Sequence, residues 1–252
     1  MESIKTIFYE EPVLENPILV EGLPGVGNVG KLAAEHLLDH VKAKKFAEII
    51  SKHFPPQVMV NDDGLVKLVN NELYYSKGEG RRPDIIILVG DYQGLTPDGQ
   101  YELSDHALQV AKRYGVSMIY TLGGYGIGRM VEKPRVLGAA THKELVEEMK
   151  KRGVVFSKGE PGSGIVGASG LMLGLGKIYD MRAVCLMGET SGYFVDPKGA
   201  EAVLRVLADI LRVEIDFSAL EDKAEQIDLI TSKIKEIETP QEAKREDLGY
   251  IG

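Results

Sequence analysis

The chain has 252 residues, with 38 Asp and Glu against 30 Lys and Arg, a net charge of −8 at pH 7 and a hydrophobic content of 44%. That charge speaks against nucleic acid or an anionic membrane as the main partner, and no apolar run approaches the roughly 20 residues that a membrane helix needs. No N-terminal signal pattern precedes Ile4, and the single cysteine, Cys185, lies inside the apolar run Ala183 to Met187, so the expectation is a cytoplasmic chain with one buried strand thiol.

Ile4 to Tyr9 reads as a first strand and Pro17 to Val20 as a second. The second feeds Glu21-Gly22-Leu23-Pro24-Gly25-Val26-Gly27-Asn28-Val29-Gly30-Lys31, after which Ala33, Ala34, Leu37 and Leu38 have helical spacing to about Val41. Phe46 to Ile50 is a short strand. Gln57–Val60, Leu65–Val69 and Glu72–Ser76 follow as short strands joined by Asn61-Asp62-Asp63-Gly64 and Asn70-Asn71, which is hairpin chemistry, so an antiparallel insertion is expected near 57–77. Ile85 to Val89 is continuously apolar, as a central parallel strand covered on both faces should be. A loop from Asp91 to Gly99 leads to a helix from Tyr101 to Tyr114; the strand Ser117–Leu122 then ends in a loop bearing Gly123, Gly124, Gly126 and Gly128. Val136–Thr141 reads as a short strand and Lys143–Arg152 as a helix. A second glycine stretch, Gly159 to Gly170, opens a helix to Tyr179. Ala183–Met187 is the last central strand, and the loop Glu189 to Pro197 leads into a helix from Lys198 to Val213. Strands alternating with helices predict an α/β body over residues 1–215, a mixed sheet flanked by helices.

Three patterns name chemistry and then lack a part of it. Gly25-x-Gly27-x-x-Gly30 is a dinucleotide fingerprint, yet no acid ends the next strand, hairpins follow instead of a further βα unit, and the pattern recurs at Gly162-x-Gly164-x-x-Gly167. Gly25, Gly30 and Lys31 also match a nucleoside-triphosphate phosphate loop, with Asp91 after Ile85–Val89 as its acidic partner, but Leu32 takes the place of the hydroxyl residue that holds magnesium. Gly25, Gly27, Gly30 and Lys31 are therefore an alternative phosphate site, and close packing of strand and helix is the structural one. His36 and His40 stand one helical turn apart without an evident third metal ligand. Glu189 and Asp196 flank a loop at a strand end without forming an acid–base pair. No catalytic set, metal site or cofactor is predicted.

The end of the chain differs in character. Ser218 to Glu238 is highly charged but spaces Leu220, Ile227, Ile230, Ile234 and Ile237 by 7, 3, 4 and 3, an a/d seam with Lys223 in the one missing place. So narrow a stripe suits a helix partner, and a projecting heptad helix is expected over 218–238, followed by a flexible tail over 239–252.

Four stretches together resemble the proteasome-assembly-chaperone family and its archaeal homologues: Gly22-Leu23-Pro24-Gly25-Val26-Gly27-Asn28-Val29-Gly30, Gly162-x-Gly164-Ile165-x-Gly167-x-x-Gly170-Leu171, Thr121-Leu122-Gly123-Gly124-Tyr125, and Gly188-Glu189-Thr190-Ser191-Gly192-Tyr193-Phe194-Val195-Asp196-Pro197. The resemblance implies a fold similar to purine nucleoside phosphorylases without their active site, self-association, and a role in assembling proteasome α-subunits or docking on the α-ring. It also makes an ATP-dependent ligase of ATP-grasp type the leading enzymatic alternative. Tails that dock on the proteasome in this context end in hydrophobic residue, tyrosine, any residue. Here Tyr250 is third from the end behind Gly249, with Ile251 and Gly252 following, so the motif is displaced by one position. The expected function is a non-enzymatic homo-oligomeric assembly factor, with Tyr250, Ile251 and Gly252 as its partner-binding tail.

Overall fold

The structure, a computed structural model, describes residues 2–156, 159 and 164–242, those from 233 on by backbone alone. Its sheet grows outward from the strands that carry unbroken apolar runs. β2 (Ile18–Gly22) pairs in parallel with β7 (Ile85–Gly90) on one side and β8 (Met118–Gly126) on the other, and β10 (Arg182–Thr190) continues in parallel beyond β8. Antiparallel strands extend both sides: β6 (Asn71–Ser76), β3 (Lys44–Ser51) and β1 (Ile4–Phe8) beyond β7, and β9 (Val136–Ala140) beyond β10. The order β1-β3-β6-β7-β2-β8-β10-β9 makes a mixed eight-stranded sheet.

Alternation along β7 shows why both faces must be covered. Ile85, Ile87 and Val89 enter one core with α1 (Val29–His40), α3 (Lys143–Lys151) and α5 (Pro197–Leu211). Ile86 and Leu88 enter the opposite core with α2 (Pro97–Arg113) and α4 (Ala168–Ile178). Each fully buried aliphatic side chain here is worth roughly 1.5–3 kcal/mol.

Among the boundaries that depart from the sequence reading, three have a visible local cause. Helix α2 starts at Pro97, four residues before Tyr101, because Thr96 Oγ1 accepts the Gly99 amide at 3.1 Å and proline suits the first helical position. Strand β8 runs on through Gly123 and Gly124 to Gly126, in register with Met187 to Thr190 of β10. Glycine there is a packing requirement, since a methyl at Gly124 would overlap the Val26 carbonyl. In the insertion, only β4 (Val58–Val60) and β5 (Val66–Leu68) form a separate two-stranded hairpin. Asn70-Asn71 is not a hairpin turn: β6 leaves the pair and enters the main sheet, where Leu73 is buried.

Last among the described elements comes α6 (Ser218–Glu242), whose first turns lie on α5.

Candidate functional site

Parallel strands converge with their C-terminal ends beside the first glycine stretch, the position where open α/β sheets hold ligands. The residues there are drawn inward. A methyl at Gly30 would overlap the Leu122 carbonyl of β8, and one at Gly22 would overlap the Ala34 side chain and the Gly30 carbonyl. Gly27 adopts φ +62° with Thr190 Oγ1 2.7 Å from its would-be Cβ, and its carbonyl accepts the Asp196 amide at 2.8 Å. Gly25 is exposed, with only Gln93 Nε2 near it at 3.9 Å. Lys31 lies 3.6 Å from Glu35 along α1. Strand, helix and the β10 loop thus meet at backbone-to-backbone distances around the turn.

Beneath it lies a group that motif reading passed over. Glu21 of β2 is fully buried. Its Oε1 accepts the Leu23 amide and its Oε2 the Ser169 hydroxyl, each at 3.0 Å. Burial pushes this carboxyl up to about 7, and the two hydrogen bonds offset only part of that rise. Thr121 Oγ1 donates to the Ser169 carbonyl at 3.1 Å, which ties β8 to the start of α4. Burial likewise pushes the neighbouring Cys185 thiol up to about 12, so it keeps its proton.

The second glycine stretch meets the first through Gln93. Gln93 Nε2 donates to the Pro24 carbonyl at 2.7 Å, and its Oε1 accepts the Ala168 amide at 3.0 Å. Gly167, at φ +91°, has that same Oε1 2.6 Å from its would-be Cβ. One amide therefore clasps both near-copies of the pattern; Gly162 of the second lies outside the described residues. Gln93→Ala is expected to cost about 1–3 kcal/mol and to raise hydrogen exchange at Ala168 more than tenfold. Unchanged protection there would show that Gln93 is not the clasp.

The other candidates are held in structural work. Glu189 accepts Arg135 Nε at 2.8 Å and the Arg135 amide at 3.0 Å, and the guanidinium holds its carboxyl below the usual range. Asp196 caps α5, accepting the Gly199 amide at 2.9 Å. His36 Nε2 is 2.6 Å from the Asp216 carbonyl and its ring stacks on Phe217, while His40 is exposed. Among the described residues no group of three or more His, Cys, Asp or Glu is placed to hold a metal ion, and no helix is long and apolar enough to cross a membrane.

Helix α6 uses the start of its seam on its own body. Leu220 and Ala224 are buried and Ile227 is half-buried, whereas Leu229 and Ile230 are 61% and 53% exposed. Ala224 fills the row at the place where heptad counting puts Lys223, which is exposed. Lys198–Asp228 at 2.7 Å is the last ion pair that ties the helix to α5 among the described residues. The side chains of Ile234 and Ile237, and all of Tyr250, Ile251 and Gly252, lie outside the described residues.

Comparison with known proteins places this architecture. Residues 19–235 match the PAC2 family. The chain is 42% identical over 246 residues to MJ1210 of Methanocaldococcus jannaschii, a match covering 95% of this chain and 93% of that one. Among solved structures it is similar to Pyrococcus furiosus PbaB, described as an archaeal proteasome activator: 42% identity, TM-score 0.89, 93% of this chain and 100% of that one. It is also similar to PbaA of the same organism, described as an archaeal homolog of proteasome-assembly chaperone: 26% identity, TM-score 0.77, 97% of each chain.

Proposed function

Because the chain belongs to the PAC2 family, we propose that it is a non-enzymatic, homo-oligomeric adaptor that presents its C-terminal helices and tails to the proteasome α-ring. The observation that carries this reading is the similarity to PbaB, an archaeal proteasome activator, over nearly the whole chain at 42% identity. The 26% identity to PbaA, described as an archaeal homolog of proteasome-assembly chaperone, supports the same class of partner.

The geometry is compatible with this division of labour. The sheet's C-terminal edge is closed by backbone contacts around Gly30, Gly124 and Gly27, and its carboxylates are engaged as caps and ion pairs. Helix α6 is fastened by Leu220, Ala224 and Ile227 and then exposes Leu229 and Ile230. In this reading the body is a rigid holder and the segment after Ile230 is the working part.

Capture of an archaeal proteasome α-ring by the intact chain and by a chain truncated after Pro240 tests it. The intact protein is expected to retain the ring and the truncated one to lose at least tenfold in affinity. Equal capture would remove the tail from the mechanism. No capture by the intact chain would remove the proteasome.

A further inference from the structure

Two side chains join the glycine stretches side by side, and they differ in one property. Gln93 joins the Pro24 carbonyl to the Ala168 amide. One residue earlier on the first stretch and one later on the second, Glu21 joins the Leu23 amide to the Ser169 hydroxyl, each at 3.0 Å. An amide cannot change its charge, whereas a carboxyl can. The Glu21 joint is therefore able to respond to protons and the Gln93 joint is not.

Ser169 has two acceptors within reach, Glu21 Oε2 at 3.0 Å and the Leu122 carbonyl of β8 at 3.4 Å. Its one hydrogen serves one of them at a time. With a proton on Oε2, the carboxyl donates to Ser169 Oγ, Ser169 donates to Leu122, and Leu23 still donates to Oε1. Each of these hydrogens then has an acceptor, and β2, α4 and β8 are linked in one chain. Without that proton, Ser169 turns back to Oε2 and Leu122 loses its serine donor. The carboxylate keeps two donors and full burial, short of the hydration that an ion needs. No neighbour balances its charge. It meets Leu88 from β7, Thr121 from β8, Cys185 from β10 and Ser169 from α4, and among the described residues no charged side chain shifts its titration. Cys185 is the one titratable group of the four, and burial keeps it protonated.

The first turn of α4 is the cover that can give way. Ser169 and Gly170 are half-buried, and the turn starts from Gly167, whose φ of +91° is one that glycine takes without strain. Gly164 and Val166, just before it, are exposed. We propose that Glu21 is a proton-operated latch: protonated, it seats the first turn of α4 on β2 and β8; ionised, it makes that turn lift about Gly167 and admit water to the carboxylate. Burial sets the titration of the seated carboxyl at about 7, which puts the change in the neutral range. Linkage fixes its size. A carboxyl that titrates near 4.5 when hydrated and at about 7 when seated makes opening about tenfold more frequent at pH 8 than at pH 6. The Gln93 joint does not titrate and keeps the seated form in the majority at both.

Hydrogen exchange of the full chain at pH 6 and pH 8, divided by the intrinsic rate at each pH, is the test. Two amides report on the turn: Ala168, bonded to Gln93 Oε1, and Leu171, bonded to the Gly167 carbonyl, each at 3.0 Å. Their protection is expected to fall about tenfold in wild type and less than twofold in Glu21→Gln. They are also expected to exchange much faster than the amides of Ile85–Gly90, because the latch opens locally while β7 waits for global unfolding. The carboxyl carbon resonance of Glu21 gives a second readout in wild type alone and is expected to titrate between pH 6 and pH 8. Its midpoint is expected to rise in Ser169→Ala, which removes the hydroxyl that favours the carboxylate; a serine that only packed would leave it unmoved. Protection that ignores pH, falls equally in Glu21→Gln, or matches that of β7 at both pH values would overturn the latch. So would a Glu21 resonance already ionised at pH 6, or one that Ser169→Ala does not shift.

Discussion

At pH 8 the Glu21→Gln protein is expected to be more stable than wild type by about 3 kcal/mol, while between pH 4 and pH 5 the two should agree within about 1 kcal/mol. The sign follows from the direction of the shift. In the unfolded chain the carboxyl titrates near 4.5, whereas burial lifts it to about 7 in the folded one. Its contribution to stability is thus fully present below 4.5 and is lost as pH rises through 7. About 2.5 pKa units at roughly 1.4 kcal/mol each set the size. Glutamine is the informative replacement, because its amide oxygen still accepts the Leu23 amide and its NH2 group meets Ser169 Oγ, an atom that accepts as well as donates. His106, whose pKa burial lowers, titrates in both proteins and cancels from the difference. Urea unfolding of the two proteins at pH 4.5, 6 and 8 measures it. Parallel pH profiles would mean that the carboxylate is solvated or paired in the native state, contrary to the closed packing around it.

How much of this was legible in the sequence depends on whether the cause was local. The apolar run at Ile85–Val89 announced a central strand because burial on both faces leaves that mark on consecutive residues. Family membership was readable from four glycine-rich stretches in order, although none suffices alone. Glu21 was read as the first residue of the glycine stretch, and its hydroxyl partner, Ser169, stands 148 residues further on. Gln93 sits in a loop without a motif, and its importance comes from the Pro24 carbonyl and the Ala168 amide, both distant in sequence. Gly123 and Gly124 looked like a loop because glycine is a turn residue by default; only the approach of the Val26 backbone explains glycine inside a strand at Gly124. Heptad counting along α6 put Leu220 and Ile227 on one stripe but had no means of seeing that Ala224 is buried in preference to Lys223.

Replacing Gly30 by alanine is expected to cost about 4 kcal/mol or more, or outright loss of cooperative folding. The added carbon would overlap the Leu122 carbonyl, which is backbone of β8, a strand with β10 on one side and β2 on the other. No side-chain rotation relieves such a contact, so α1 would have to lift from the sheet together with Val29, Ala33, Ala34 and Leu37, all fully buried. Two other glycines make the comparison decisive. Gly25 has an extended φ of −160° and open space, so Gly25→Ala should leave stability within about 0.5 kcal/mol of wild type. Gly174 lies in the exposed interior of α4 with nothing within 4 Å, so Gly174→Ala should stabilise by about 0.5–1 kcal/mol. A glycine loop shaped for phosphate would show a different pattern: alanine at Gly25 or Gly30 would block the anion while the fold tolerated both. Thermal and urea unfolding of the three variants therefore separates the two meanings of the fingerprint. Comparable, small effects at Gly25 and Gly30 would restore the phosphate reading, and a steep difference between them assigns the motif to packing between α1, β2 and β8.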